Sequence, residues 1–414
     1  MAKGLRHAWL PLQSGLFRAI WIAAMASNIG TWMHTVGASW LMTTLSAGPL
    51  MVALVQTATT LPVFLVGLPA GAWADMIDRR RMLMFTQSWM LAAAAVLGFL
   101  TLMGWTGPWT LLGLTFALGL GSAMNGPAWA AAIPELVPRE QMPQAVVLNS
   151  VQFNVARAVG PALAGMVLAA SSAGVLFVLN AISFLGVIVV VWRWEPSTPA
   201  PHAGSVWDAI RSGLRWARGA PGFHAVLIRQ GVFVFAGSGL WALLPVVASK
   251  SLTGTPLGYG VLLGCLGAGA VTAAALLGPV RERYSADRLA FGGNVLFFGA
   301  VLGLALLKTY SVVAVAMFFG GVAWMTTMST FNVTVQMPLP PELRARALGI
   351  YLLVFQASLA MGSAAWGALA ERGGVSVALV ISAAGLAVSL ALAARLKLGS
   401  AAAWVEGDTV EVPN

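Results

Sequence analysis

Two ionisable side chains stand deep inside apolar runs, and they bound the chemistry open to this chain. Arg157 lies about a dozen residues into a run near 146–168. A charge in such a run costs ~2.5–3.5 kcal/mol on insertion scales, so it must face an interior or a water-filled cavity. Ser150, Asn154 and Pro161 share its helical face. Arg157 therefore binds anionic substrate groups or organises a polar network; the plainer alternative is a structural tie to Asp75 or to helix carbonyls. His34 is the second such group, with Ser27, Asn28, Thr31 and Thr35 along one side of the first run. Imidazoles exchange protons near neutral pH, so His34 is a candidate for proton coupling. Its plainer alternative is a hydrogen-bonded packing histidine.

Neutral polar groups extend the set. Asn125 and Asn332 sit in two further runs, and a buried amide needs partners, so each lines a cavity or pins one helix to another. Gln56, Gln152, Gln230 and Gln356 are weaker candidates of the same kind. Trp32, Trp40, Trp241 and Trp324 are placed to stack on a flat substrate or to anchor at a membrane interface. No Gly-x-x-x-x-Gly-Lys loop is present, which argues against ATP hydrolysis. No metal-ligand cluster and no nucleophile–base pair occurs, so neither an enzyme nor a cofactor is expected. The one cysteine, Cys265, lies in an apolar stretch and reads as structural.

The elements that position these residues are membrane helices. Hydrophobic residues make up 59% of the 414 residues and charged residues 9%. Soluble domains carry roughly 25% charged residues, so the bilayer is the expected solvent. Runs long enough to span appear near 17–43, 50–74, 82–103, 108–131, 146–168, 173–192, 224–248, 257–279, 289–307, 311–335, 347–370 and 375–395. They are continuous rather than alternating, so they are helices. The first run is too long for a signal peptide and is expected to stay in the protein.

The chain also repeats itself at a shift of 207. Leu45, Ser46, Pro49 and Leu50 return as Leu252, Thr253, Pro256 and Leu257; Gly71 and Asp75 return as Gly278 and Glu282; Asn125 returns as Asn332. Phe17-Arg18-Ala19-Ile20 matches Phe223-His224-Ala225-Val226 at a shift of 206. In membranes, a duplicated bundle implies a carrier with its site between the halves. The shift of 207 pairs His34 with Trp241 and gives Arg157 no charged counterpart. That asymmetry points to the first half as the home of gating and ligand chemistry.

The formal net charge of +10 is not a nucleic-acid signal, because the basic residues sit in short breaks between runs. Nineteen lysines and arginines fall on one side of the predicted membrane, against Lys250, Lys308 and Arg372 on the other. The positive-inside rule then puts both termini in the cytoplasm. The expected organisation is a six-helix bundle at 1–192, a linker at 193–222, a second bundle at 223–397 and a tail at 398–414. Within the linker, Ser205-Val206-Trp207-Asp208 reads as a capping box opening a basic amphipathic helix on the inner membrane surface.

The second break reads Gly71-Ala-Trp-Ala-Asp75-Met-Ile-Asp78-Arg79-Arg80-Arg81. It resembles the loop signature of the major facilitator superfamily. Gly71 permits close helix approach, Asp75 ends a helix where it can meet a positive helix N-terminus, and the arginines hold the loop at the membrane face. Gly30-Thr-Trp32-Met33, Ser39-Trp40-Leu41 and Ala156-Arg157-Ala158-Val159-Gly160-Pro161-Ala162-Leu163-Ala164-Gly165 are similar to the subfamily of enterobactin exporters and macrolide efflux carriers. Gly160, Pro161 and Gly165 also resemble the fifth-helix motif of antiporters, with ordinary small-residue packing as the alternative.

The resemblance implies an all-α membrane protein with twelve helices in two pseudo-symmetric bundles, and a gate at Gly71, Asp75, Asp78, Arg79, Arg80 and Arg81. The expected function is a monomeric secondary carrier in a bacterial cell (inner) membrane. It would export a small amphipathic or siderophore-like compound by alternating access, with protons as the coupling ion. Its partners are lipid and the small-molecule substrate, with no nucleic acid. An importer of the same fold, a non-transporting receptor and a membrane enzyme are the rivals.

Overall fold

The computed structural model describes residues 9–46, 48–195, 217–337, 339 and 341–398, with backbone alone at 72, 74, 75, 341, 342 and 345. Twelve α-helices fill the described residues, with no strand among them. They are α1 (Gly15–Leu45), α2 (Pro49–Met76), α3 (Arg79–Leu102), α4 (Pro108–Leu136), α5 (Met142–Ala170), α6 (Ala173–Trp192), α7 (Pro221–Lys250), α8 (Pro256–Arg283), α9 (Ala286–Leu306), α10 (Tyr310–Gln336), α11 (Pro341–Gly373) and α12 (Val375–Arg395). The expected linker helix at 205–218 falls mostly outside the described residues.

Ten of the twelve are long and apolar enough to cross a membrane; α1 and α4 fall short. For α1 the reason is visible in its sequence: Ser27, Asn28, Thr31, His34, Thr35 and Ser39 dilute its apolar residues. Such a helix is stable in a bilayer only when its polar side faces protein or a cavity.

Helix starts follow local chemistry. Proline opens α2, α4, α7 and α8, where its missing N–H is no loss. Asp78 caps α3 by accepting from the Arg81 N–H at 2.9 Å, and Ser285 caps α9 by accepting from the Arg288 N–H at 3.4 Å. These two caps are repeat mates at a shift of 207. The same shift maps α2 onto α8 from first residue to last, 28 residues each. For α1 and α7 the first residues, Gly15 and Pro221, are 206 apart. At a shift of 206, His34 corresponds to Leu240 and Thr35 to Trp241, whereas the shift of 207 pairs His34 with Trp241.

Helices α1–α6 form one bundle and α7–α12 the other. The bundles meet along two seams, α2 against α11 and α5 against α8. Both seams tighten toward the arginine-poor end. A Cβ on Gly260 would lie 2.8 Å from Gly165 Cα, and one on Gly367 would lie 2.5 Å from Ala53 Cβ and 3.2 Å from Leu50 Cα. Between them, the Thr57 hydroxyl donates to the Ala360 carbonyl at 3.0 Å. Toward the arginine-rich end the contact loosens. Across the α2–α11 seam a Cβ on Gly67 would meet only Leu353, and one on Gly349 only Leu68, at 3.9 Å each; among the described residues, atoms on Gly71 and Gly278 would meet nothing within 4 Å.

A charged clasp closes the tight end. The Leu50 N–H, in the first turn of α2, donates to Glu371 Oε2 at 3.2 Å. Gly48 leaves room for the carboxylate, since a Cβ there would sit 2.8 Å from the same oxygen. Glu371 thus caps a helix of the opposite bundle, and an anion at a helix N-terminus contributes about 0.3–1 kcal/mol. Glu371→Gln is expected to shift the balance at that end toward the open arrangement by roughly two- to fivefold. Spin-label distances between the α2 and α11 ends, compared in wild type and variant, check this.

Candidate functional site

A cavity lies between the two bundles, at the α5–α8 seam and beside α2. From α1 it takes Trp32, Thr35, Val36 and Ser39, spaced to form one helical face. From α2 comes Gln56, from α5 Arg157 and Pro161, from α7 Trp241, and from α8 Tyr259, Leu263, Leu266 and Gly267. Tyr259 stacks on Trp40 with ring centroids 5.9 Å apart, so α1 and α8 are in contact across the bundles. The free space is about 40 Å³. A water occupies about 30 Å³ of the liquid, so this arrangement is collapsed around its site and must widen to admit an organic ligand.

Arg157 is the charge in that lining. Its guanidinium carbon lies 5.9 Å from the Trp32 ring and 5.9 Å from the Trp241 ring, one from each bundle. An indole face attracts a cation and leaves its charge unneutralised. Among the described residues, Arg157 Nε is buried without a hydrogen-bond partner. Among the described residues no carboxylate comes within ion-pair distance of it; the two ion pairs there are Arg79–Glu135 and Arg229–Asp287. The expected tie to Asp75 rests on a side chain outside the described residues.

Several expected site residues sit beside the cavity or away from it. Asn28 and Thr31 lie one turn before Trp32 and Thr35 on the same α1 face, toward the arginine-rich end. Thr31 donates to the Ser27 carbonyl at 2.9 Å, and Asn154 donates to the Ser150 carbonyl at 2.8 Å. His34 is elsewhere. It is 4% exposed, packs on Phe177 of α6 with centroids 4.5 Å apart, and neither ring nitrogen has a partner. It faces the inside of its own bundle and is absent from the cavity lining, so it is neither the expected cavity residue nor the hydrogen-bonded packing histidine. Gln356 is half-buried in α11, also outside the lining.

The two repeat-related asparagines do different work. Asn125 Oδ1 accepts from Thr86 and from Gln87, each at 3.1 Å, and so pins α4 to α3. Asn332 accepts from Gln336 one turn along its own helix. Interhelical hydrogen bonds in membranes contribute about 0.6–1.7 kcal/mol each. Asn125→Ala is therefore expected to lower Tm by a few degrees while the transport rate per folded molecule stays near wild type; a purified-protein melt and a flux assay on the same sample separate the two.

The loop motif braces one bundle. Beside the Asp78 cap, Arg79 Nε lies 3.5 Å from Glu135 of α4, and Arg80 donates to the Trp192 carbonyl at the end of α6. Arg81 is exposed. In the other bundle the corresponding position carries Asp287, which pairs with buried Arg229 of α7 and accepts from the Leu398 N–H at 3.2 Å from each oxygen. Arg229 and Glu371 were not legible as partners, because each finds its mate more than fifty residues away.

The fifth-helix motif divides three ways. A Cβ on Gly160 would meet Trp32 Cβ at 2.5 Å, so it seats α5 on α1; Pro161 lines the cavity; Gly165 meets α8.

The comparisons agree with this architecture. The model of a family described as transmembrane secretion effector matches residues 6–409. The staphyloferrin A transporter of Staphylococcus aureus is 26% identical over 278 residues, 67% of this chain and 70% of that protein. The multidrug efflux pump Tap of Mycolicibacterium fortuitum is 25% identical, covering 86% of this chain and 89% of Tap. Among solved structures, an inward-facing, unoccupied bacterial homologue of the human lysosomal transporter Spinster has a TM-score of 0.74 at 14% identity, covering 95% of this chain and 98% of that one. A mutant of the nucleoside transporter NupG has a TM-score of 0.73 at 14% identity, covering 92% of this chain and 100% of that one. These structural likenesses speak to fold alone. The chain belongs to the transmembrane secretion effector family, a multi-pass membrane transporter of the major facilitator fold and not an enzyme.

Proposed function

We propose that this chain is a secondary carrier that exports a small amphipathic compound by alternating access through the Arg157 cavity. One observation carries the reading: a cavity lined from both bundles lies between seams that are tight at one end and loose at the other. A site at that position changes its accessible side when the bundles rock. The cavity is complete within one chain, which supports a monomeric carrier.

The arginine-rich end is assigned to the cytoplasm by the positive-inside rule, which puts both termini inside a bacterial inner membrane. The tight end, held by Glu371, then faces out. Widening from the loose end would then admit substrate from the cytoplasm, in keeping with export. A relative named for drug efflux supports the same direction. Proton coupling, expected from His34, draws no support from a ring packed on Phe177 and outside the cavity.

Vesicles of both orientations test the reading. Everted vesicles carrying the protein are expected to accumulate at least one member of a labelled amphipathic panel that empty-vector vesicles do not. Accumulation confined to right-side-out vesicles would instead establish an importer.

A further inference from the structure

We infer that the cavity takes an anion, and that the charge of this anion, rather than a co-transported proton, couples export to the membrane. The inference rests on the cavity being the transport site. Arg157 is its observation: a guanidinium at mid-helix, bracketed by two indoles, with a buried Nε that has no hydrogen-bond partner among the described residues. Cation–π contact holds the group without discharging it. In surroundings of low dielectric, an unneutralised cation attracts an entering anion far more strongly than it would in water.

Among the described residues, the groups facing Arg157 include no carboxylate and no imidazole. Helix α1 presents Trp32 and Thr35, α2 presents Gln56, α7 presents Trp241 and α8 presents Tyr259. The phenol of Tyr259 is the one titratable group among them, and its ring is stacked on Trp40. The acids with described side chains, such as Asp78, Glu135, Asp287 and Glu371, stand at helix ends. A proton antiporter needs a group that loads a proton when substrate leaves, and among the described residues the cavity wall offers no carboxylate or imidazole for that role.

An exporter of anions does not need one. A cell interior is electrically negative, so each negative charge leaving it moves down the potential. The ligand class follows from the walls: a carboxylate or sulfonate on a flat ring. The anion would meet the Arg157 fork, the ring would lie between Trp32 and Trp241 as they part, and Gln56 and Thr35 would meet polar substituents.

The test uses the full chain in proteoliposomes, with 1-naphthalenesulfonate as the permanently charged anionic probe and erythromycin as a cationic one. A tenfold inward potassium gradient with valinomycin makes the lumen positive. Wild type is expected to accumulate the sulfonate about tenfold, one charge following one potassium gradient, and to give no accumulation from a pH gradient at zero potential. Arg157→Gln is expected to lose this uptake and Arg157→Lys to keep a measurable part. Accumulation driven by the pH gradient at zero potential overturns the coupling inference and leaves the carrier standing. Transport of erythromycin without the sulfonate overturns the anionic class and also leaves the carrier standing. Movement of neither probe under any gradient, with a folded protein, overturns the inference together with the carrier reading beneath it.

Discussion

Gly260→Leu is expected to reduce transport roughly 5- to 150-fold while each bundle stays folded. Gly260 and Gly165 bring the backbones of α5 and α8 into contact, with a Cβ on Gly260 only 2.8 Å from Gly165 Cα and 2.9 Å from the Pro161 carbonyl oxygen. A leucine there must push the helices apart. Overpacking of a tight contact costs about 1–3 kcal/mol, and here the strain falls on the one arrangement in which this end is shut. That is roughly a 5- to 150-fold shift in the balance of states. Gly264→Ala is the control on the same helix, one turn on, because its Cβ would meet Ala162 Cβ at an ordinary 3.8 Å. Flux measured in vesicles, with a melt to show that the protein is folded, decides the matter. A Gly260→Leu carrier running at the wild-type rate would mean that this seam need not close.

Gly321→Ala should act on folding itself. Within the second bundle, α8 and α10 approach through two glycines. A Cβ on Gly321 would lie 1.8 Å from the Leu266 carbonyl oxygen, and a Cβ on Gly269 would lie 1.9 Å from the Phe318 carbonyl oxygen. Both obstacles are backbone, so no rotamer change relieves them. The helices would have to separate by more than an ångström along a contact with no hydrophobic drive to restore it in lipid. The expected loss exceeds about 4 kcal/mol, in the range that marks an exceptional substitution. Detergent-extracted Gly321→Ala should be largely aggregated in size-exclusion chromatography. Gly299→Ala, with nothing within 4 Å, should elute as wild type.

The helices and their repeat were legible because both are written along the chain. Long apolar runs report spans, and Pro49 and Pro256, Asp78 and Ser285, start equivalent helices. Which side of a helix faces the cavity was much less legible. In a soluble bundle the apolar face points inward, but here lipid and core are equally apolar, so hydrophobic pattern does not separate them. Arg157 was legible because a charge in lipid has one tolerable direction. His34 was not, since a neutral imidazole can lie against Phe177 as well as in water. A one-residue difference in repeat register also matters: at 207 His34 aligns with Trp241, whereas at 206 the aligned residue is Thr35, which lines the cavity with Trp241. Asn125 and Asn332 show the same limit, because identical residues at equivalent positions found different partners.

The clasp at the tight end has a genetic consequence. Glu371 is held by a peptide N–H at position 50, and every residue except proline supplies that group. Substitutions at position 50 therefore leave no compensating trace at 371, and correlated change between the two positions is not expected among relatives. Only Pro at 50, or a side chain at 48 large enough to displace the carboxylate, breaks the contact from the α2 side. A suppressor search begun from Glu371 variants should yield changes elsewhere along the seams, where side chains rather than backbone set the fit.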